Sequence, residues 1–577
     1  MAEHLLDVRD LSVTFHTARG PVRAVRHVSW HLDRGEVLAI LGESGSGKSV
    51  SASAIMDLID CPPGHIDSGE LLFEGRDLLR MGREERRGIN GKRIAMIFQD
   101  PLSHLNPVYT VGWQIEETLI IHGTARDAAR RETLALLAKV GIPQPETSAR
   151  KYPHQFSGGQ RQRLMIAMAL ALRPDILIAD EPTTALDVTV QAQILDLLEK
   201  LQAETGMGLL LITHDLGVVA EVADRVVVMN SGEIVEQGSA AEVYANPQHP
   251  YTRKLIAAAP GKGAMPPDRP AAEPLLAVSG LKKVYGDFTA LHSADFALET
   301  GEVVAIVGES GSGKSTLAKC LLRLEEPSAG RAMYNGRDLF TLSPKDLYRM
   351  RRDIQMVFQD PTQSLNPRMS VYDLISEAWV IHAGILPRAR WRARVEELLG
   401  QVGLLPEHMH RYPHQFSGGQ RQRIAIARAL ALEPRIIICD EAVSALDVSI
   451  QAQVIDLLAD LRRRLGLSYI FIAHDLPVVR DFADRVIVMQ DGRIVEQGTV
   501  RQIFDAPRET YTKNLLAASL DPDPVVQAAP VAGLQHTEPT ERRIDRKLHT
   551  RSREFGLPIR WHGACSHPVD QHMHPHT

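Results

Sequence analysis

Short, unbroken apolar runs punctuate this chain, and they come in matched pairs. Residues 37–41 and 303–307 are apolar throughout, and each precedes a Gly- and Ser-rich string and then a helix-forming segment. Residues 176–179 and 436–439 form a second pair, each ending on two carboxylates. Residues 209–212 and 469–472 form a third, each followed closely by a histidine. An apolar run without polar alternation predicts a strand buried on both faces, as in a parallel sheet covered by helices. Polar groups at the carboxyl end of such strands lie where doubly wound sheets collect their ligands.

The pairing is a duplication. Lys48 and Lys314 lie 266 positions apart, whereas Gln99 and Gln359, Ser157 and Ser417, Asp180 and Asp440, and His214 and His474 all lie 260 apart. A repeat of this length is two whole domains, not a solenoid, whose units run to roughly 20–50 residues. The six-residue difference falls between lysine and glutamine. The turn-rich segment 60–69, with Cys61-Pro62-Pro63-Gly64, is expected to hold it as a surface loop, against a shorter counterpart near 325–330. The division expected is a first domain over 1–259, a Pro-, Gly- and Ala-rich linker over 260–274, a second domain over 275–518 and a tail over 519–577. Extended at ~3.1 Å per residue, the linker would span roughly 45 Å, enough for the halves to meet face to face. The tail, with Asp521-Pro522-Asp523-Pro524 and a basic, Pro-containing stretch, reads as disordered.

The string after the first apolar run is Gly42-Glu43-Ser44-Gly45-Ser46-Gly47-Lys48-Ser49. It recurs as Gly308-Glu309-Ser310-Gly311-Ser312-Gly313-Lys314-Ser315, followed by Thr316. Strand, GxxxxGK[ST] loop and helix make a nucleotide site: glycines let backbone N–H groups close around phosphate oxygens, and the helix N-terminus faces the negative charge. Lys48 and Lys314 would reach the β- and γ-phosphates, and Ser49 and Ser315 would bind Mg²⁺. One such string could be a plain turn; two in the same setting predict two nucleotide sites. Asp180 and Asp440 suit Mg²⁺, and Glu181 and Glu441 are placed to polarise an attacking water as general base. A solvated acidic turn would explain one such pair, but hardly two at equal distance from a phosphate loop. Ser157-Gly158-Gly159-Gln160 and Ser417-Gly418-Gly419-Gln420 open the helical stretches 161–172 and 421–432. A serine and two glycines at a helix start make a second anion site or a plain N-cap.

Composition adds exclusions. The 577 residues suit several domains, and a net charge of −6 gives no sign of nucleic-acid binding. No apolar run approaches the ~18 residues of a membrane span, and residues 1–9 are polar where a signal peptide is apolar. The chain itself is therefore expected neither to cross nor to enter a membrane. Cys61, Cys320, Cys439 and Cys565 are scattered without a CxxC pair. That points away from a zinc site or disulfide framework and toward a reducing cytoplasm. Cys565 lies near His562, His567, His572, His574 and His576. A metal site is one reading of that cluster, a disordered extension the favoured one.

In order, the phosphate loop, Gln99, SGGQ, Asp180-Glu181, Ala185-Leu186-Asp187 and His214 resemble an ABC-type ATPase domain. The second half matches with Gln359, Ser417 to Gln420, Asp440-Glu441, Ala445-Leu446-Asp447 and His474. The resemblance covers about residues 5–518. It implies an α/β fold of two tandem P-loop NTPase domains, each with a mixed-sheet core, a helical subdomain and an antiparallel β subdomain. It also implies head-to-tail stacking within one chain, each ATP lying between the loop of one half and the SGGQ of the other. Lys48 would then share its nucleotide with Ser417, and Lys314 with Ser157. Gln99 and Gln359 would sense Mg²⁺ and water and touch partner subunits, and His214 and His474 would hold the γ-phosphate. Tyr285 would stack on adenine, with Phe15 its counterpart. Phe15 lies 27 positions before Gly42 and Tyr285 only 23 before Gly308, which an insertion around 17–22 would explain.

Further strings narrow the branch. Phe98-Gln99-Asp100-Pro101 with Leu105-Asn106-Pro107 recurs as Phe358-Gln359-Asp360-Pro361 with Leu365-Asn366-Pro367. Tyr152-Pro153-His154-Gln155-Phe156 recurs as Tyr412-Pro413-His414-Gln415-Phe416, and His249-Pro250-Tyr251-Thr252 closes the first half. These are similar to the ATPases of oligopeptide, dipeptide, nickel and opine importers, where two different ATPases act together. Here they look fused: Met165-Ile166-Ala167-Met168 resembles one partner and Ile424-Ala425-Ile426-Ala427-Arg428 the other. The resemblance implies an ATP- and Mg²⁺-dependent motor on the cytoplasmic face of the membrane. It would sit beneath two permease subunits fed by an extracytoplasmic solute-binding protein, import a peptide-like or opine-like solute, and bind no nucleic acid. The alternative is a soluble tandem ABC protein acting on ribosomes, but such proteins usually carry a long, charged helical linker. A DNA-repair ABC protein would have zinc cysteines and coiled-coil insertions. Two departures stand out. Glu509-Thr510-Tyr511-Thr512 replaces the HPYT string, so that element is expected to be degraded in the second half. Ala442 stands where the first half has Pro182, a change that need not stop hydrolysis. With only Cys565 beyond Cys439, no iron–sulfur cluster is expected.

Overall fold

Each paired apolar run becomes a strand covered on both faces. Val37–Leu41, Ile176–Asp180 and Gly208–Thr213 are buried at every position, as are Val303–Val307, Ile436–Asp440 and Ser468–Ile472. The structure, a computed structural model, describes residues 4–520 apart from 18, 19, 185, 268, 270, 271 and 445. Ala185, Ala445 and the Cys565 and histidine cluster of the tail lie outside the described residues. The described residues belong to one compact unit.

In the first half these strands build a six-stranded sheet ordered Glu233–Ser239, Arg225–Asn230, Val37–Leu41, Gly208–Thr213, Ile176–Asp180 and Ile94–Ile97. All neighbours are parallel except the first pair. Because Val37–Leu41, Gly208–Thr213 and Ile176–Asp180 are adjacent and parallel, the phosphate loop, His214 and the acid pair emerge at one edge. The second half repeats this with Val303–Val307, Ser468–Ile472 and Ile436–Asp440. A second, antiparallel sheet holds Leu6–Thr17, Gly20–Leu32, Gly64–Phe73 and Arg76–Asp77. Its counterpart is continuous with the core sheet through a single bridge, Ser293 to Arg493, giving ten strands. Helices Val111–Ile121, Arg126–Lys139 and Gly158–Leu170 bury Ile115, Leu137 and Ile166 against the other side of the core. Among the described residues no helix is long and apolar enough to cross a membrane.

Strand register settles where the halves differ in length. Leu6 pairs with Leu32 and Phe15 with Val22; Leu276 pairs with Leu298 and Tyr285 with Phe288. Phe15 and Tyr285 each lie nine residues beyond equivalent leucines, so they occupy the same register position. The connection holds residues 16–21 in one half and only 286–287 in the other, which is the insertion expected near 17–22. The segment 60–69 is a correction. Residues 60–63 do form an exposed turn, but Gly64–Phe73 is one strand, and His65, Ile66 and Ser68 pair with Thr14, Val13 and Ser12. The shorter Ala329–Tyr334 reaches only as far as Lys282. The extra residues form strand because a partner edge is available, and Thr14 Oγ1 donates to Asp67 at 2.6 Å across it. Pairing supplies what local turn propensity opposes.

The C-terminal elements bring a second correction. Pro250–Ala257 has Pro at its first turn, and the His249 ring accepts from Tyr251 N–H at 3.2 Å. Thr510–Ala517 has the same eight-residue length but no side-chain cap. The replaced string therefore costs the second half a cap, not the helix. Restoring one feature by Thr510→Pro is expected to raise stability by about 0.5–1 kcal/mol, since proline suits the first helical position and restricts the unfolded chain. Urea denaturation of wild type and variant measures it.

Candidate functional site

The two phosphate loops are built alike. Gly45 and Gly47 have φ of 80° and 100°, and Gly311 and Gly313 of 82° and 99°. Only glycine adopts these angles without cost, and they curl the backbone inward. Helices Lys48–Ile55 and Lys314–Leu321 start on Gly47 and Gly313 with no side-chain cap, which leaves their first N–H groups facing the loop. Lys48 Nζ donates to Gly42 O at 2.7 Å and Glu43 O at 3.0 Å, and Lys314 repeats this at 2.7 and 2.9 Å. Burial lowers the pKa of both ammonium groups. The buried hydroxyls Ser46 Oγ and Ser312 Oγ have no hydrogen-bond partner. Uncapped N–H groups, a buried lysine and an orphaned hydroxyl in one cradle suit a phosphate chain. Thr316 follows in the helix, where the first half has Val50.

The strand ends converge on each loop. Ser49 Oγ donates to Asp180 Oδ1 at 3.0 Å, and Ser315 Oγ to Asp440 Oδ1 at 3.1 Å. These oxygens form a hard donor set suited to Mg²⁺. Burial pushes the Asp180 carboxyl up to about 6, and Asp440 shifts the same way. Gln99 Nε2 donates to Glu181 Oε2 at 2.6 Å, and Gln359 to Glu441 Oε2 at 2.6 Å. His214 Nδ1 lies 3.2 Å from Glu181 Oε1, and His474 Nδ1 3.6 Å from Glu441 Oε2. Burial alone would lower both imidazoles, yet the neighbouring carboxylates raise them above the ordinary value. Burial raises Glu181, but His214 and Thr184 pull it below the usual carboxylate range; in Glu441 the His474 contact dominates and lowers it. Glu181 and Glu441 sit in the left-handed region at φ 47° and 48°, so Ala442 leaves the backbone as Pro182 does.

The adenine-stacking candidates differ. Tyr285 is 41% exposed with Lys283 Nζ 4.5 Å from its ring centroid. Phe15 is half-buried, packed with Ile59 on the core of its half.

Across the halves the loops are clamped in reciprocal fashion. Asp447 Oδ1 accepts from Ser44 N–H at 2.8 Å and from Ser44 Oγ at 3.0 Å. Asp187 Oδ1 accepts from Ser310 N–H and Oγ at 2.8 and 3.0 Å. Thr189 Oγ1 donates to Glu309 at 2.7 Å, and Ser449 donates to Glu43. Asp187, Asp447, Glu43 and Glu309 stand in the quoted strings without a clamping role, and Thr189 and Ser449 stand in none. The available signal was a hydroxyl two positions after the aspartate in both halves.

Ser157 and Ser417 cap helices Gly158–Leu170 and Gly418–Leu430, each paired reciprocally with Gln160 or Gln420. Gly158 and Gly418 lie against Leu186 and Leu446, beside the clamp aspartates. A Cβ on Gly159 or Gly419 would come within 2.3 Å of Val190 Cγ1 or 2.2 Å of Ile450 Cγ2. Gly419→Ala is therefore expected to push the helix off its neighbour and destabilise by about 1–3 kcal/mol, read as a lowered melting temperature.

Two tandem phosphate loops, each with an acid-ended strand, a histidine and a clamp from the opposite half, define an ATPase of the ABC class. The ABC transporter family model matches residues 25–184 and 291–444. The oligopeptide/dipeptide transporter C-terminal region matches 235–272 and 495–547. The chain belongs to the ABC transporter family. It is 49% identical over 559 residues to the glutathione import ATP-binding protein GsiA of Escherichia coli K12, covering 90% of each chain. It has the same identity and coverage with the protein of that name from Shigella boydii. Among solved structures, cbiO1 of Clostridium perfringens, part of the ABC transporter complex cbiONQ, is 34% identical over 41% of this chain and 92% of its own, with a TM-score of 0.38. The chain is thus an ATP-binding, ATP-hydrolysing subunit of an ABC importer, associated with membrane permease partners, and the ribosome-acting alternative falls away.

Proposed function

We propose that the chain holds two complete, competent ATP sites, each shared between halves. One comprises Lys48, Ser49, Gln99, Asp180, Glu181 and His214, completed by Ser417 to Gln420 and Asp447. The other comprises Lys314, Ser315, Gln359, Asp440, Glu441 and His474, completed by Ser157 to Gln160 and Asp187. The reciprocal aspartate clamps on Ser44 and Ser310 carry this reading, because they join each loop to the half bearing the opposite SGGQ. The domains are assigned to 1–259 and 275–518, with a linker over 260–274 and a tail over 519–577.

Hydrolysis is in-line attack of water on the γ-phosphate. Positioning and electrostatics supply most of the acceleration. Loop N–H groups and lysine cradle the phosphates; the glutamate takes the proton of the attacking water; the histidine turns from its glutamate toward the γ-phosphate. Ser49 with Asp180, and Ser315 with Asp440, would hold Mg²⁺, which neutralises phosphate charge. Gln99 and Gln359 contact the base here and would report on the metal when it binds. Tyr285 stacks on adenine, as Phe15 does in the first half.

The chain docks on the cytoplasmic face beneath two permease subunits, which receive a peptide-like solute from an extracytoplasmic binding protein. The relatives' name supports a small peptide of the glutathione class as that solute. Reconstitution with the co-purifying permeases and binding protein tests this. ATP-dependent uptake of labelled glutathione or a dipeptide supports it; an assembled complex that takes up neither overturns it.

A further inference from the structure

The HPYT string marked a branch of the family, yet the ATP sites leave its tyrosine unused. Tyr251 Oη accepts from Glu43 N–H at 3.3 Å, and Tyr511 Oη accepts from Glu309 N–H at 3.1 Å. Each C-terminal helix thus holds the entry to its own phosphate loop. Both hydroxyls are desolvated, and burial pushes Tyr251 up to about 12, so it stays protonated and neutral beside the loop.

The same helix also touches the other half. Leu255, Ile256 and Ala259 share a buried cluster with Val448, the residue after the clamp aspartate. The helix Thr510–Ala517 lies against the first half's helix Val188–Thr205. Beyond each helix the chain runs onto the segment that follows the opposite histidine. Gly261 and Gly263 donate their N–H groups to Asp481 Oδ2 at 2.7 and 3.3 Å, and Arg480 donates back to Gly261 O. Gly261 also abuts Pro477, three residues after His474, and Met265 packs on the second-half core. In the mirror position Leu520 covers Gly217, three residues after His214, and packs on the first-half core. A Cβ on Gly217 would come within 2.8 Å of Leu520 Cβ, so the glycine makes room for the leucine.

We propose that these C-terminal elements are straps that couple the two ATP sites. Tyr251 and Tyr511 are positioning residues that sense the phosphate loop of one site, and the chain beyond them holds the histidine-bearing segment of the other. ATP binding at Lys48 shifts the loop, the helix and then the segment from His474 to Phe482, which serves the Lys314 site. The second strap runs the reverse course. The proposal rests on the assignment of sites made above.

The test uses the purified chain with one site silenced. Glu181→Gln leaves only the Lys314 site to hydrolyse. If that variant keeps full turnover, the site assignment itself fails, and the strap proposal with it. Given the expected loss, Tyr251→Phe added to it should lower the remaining turnover about fivefold or more, although the hydroxyl it removes bonds the silent site's loop. Asp481→Ala, which frees the strap's far end, should lower it similarly. The two together should do no worse than either, as coupled positions behave. Asp481→Asn keeps an acceptor for the glycine N–H groups and should restore most of the loss. Tyr511→Phe in the Glu441→Gln background repeats the test in mirror image. Unchanged turnover with Tyr251→Phe, or effects of Tyr251→Phe and Asp481→Ala that simply multiply, would overturn the coupling.

Discussion

Glu181→Gln is expected to remove at least half of steady-state ATP turnover, Glu441→Gln to do the same, and the double variant to fall by about 10²–10⁴-fold. The isosteric amide keeps the shape of the site and a partner for Gln99 or Gln359, but it cannot take a proton from water. Both glutamates share the same left-handed backbone, the same glutamine at 2.6 Å and a histidine within 3.6 Å. The left-handed backbone and the glutamine contact are kept at Glu441 beside Ala442, so the proline-to-alanine departure is not expected to weaken the second site. Phosphate release by the single variants decides it: wild-type turnover in either one means that the sites are not equally competent.

Ser157→Arg is expected to abolish what Glu181→Gln leaves, whereas Ser417→Arg in that background should cost only the several-fold that loss of the strap's coupling costs. Removing a donor aimed at transferring charge costs roughly 10²–10³-fold in rate, and an arginine in its place also fills the space for phosphate. The crossed pattern follows because Ser157 belongs to the half whose Asp187 grips Ser310. The uncrossed pattern, with Ser417→Arg silencing the Lys314 site, would mean that each half completes its own nucleotide site.

Much of this was legible because a parallel sheet covered by helices writes itself as unbroken apolar runs, and its chemistry collects just beyond them. Lysine, acid pair, glutamine and histidine lie side by side in space for that reason alone. The antiparallel sheet was harder to read. His65-Ile66-Asp67-Ser68-Gly69 has the composition of a turn and becomes strand only because Ser12, Val13 and Thr14 offer an edge. Nor does a single sequence say which residues meet across two halves. The head-to-tail expectation came from family resemblance, while the grip of Asp447 on Ser44 and of Ser449 on Glu43 needed coordinates. The tyrosine of the HPYT string was visible as a marker, but its contact with Glu43 N–H spans 208 positions and leaves no local trace.

The linker proposed over residues 260–274 has a consequence for how the clamp can work. A tether this short holds the second half near the first at an effective concentration in the millimolar range. The jaws need not bind each other tightly to meet again after opening. The hydrogen bonds between Ser44 and Asp447, between Ser310 and Asp187, and from Thr189 and Ser449 to Glu309 and Glu43 then add to the tether in closing them, each worth about 0.5–1.5 kcal/mol net. Fusion also fixes which surfaces meet, so neither half can pair with a copy of itself within the chain. Each is then free to carry a different residue after its glutamate and a different cap on its C-terminal helix without losing its partner.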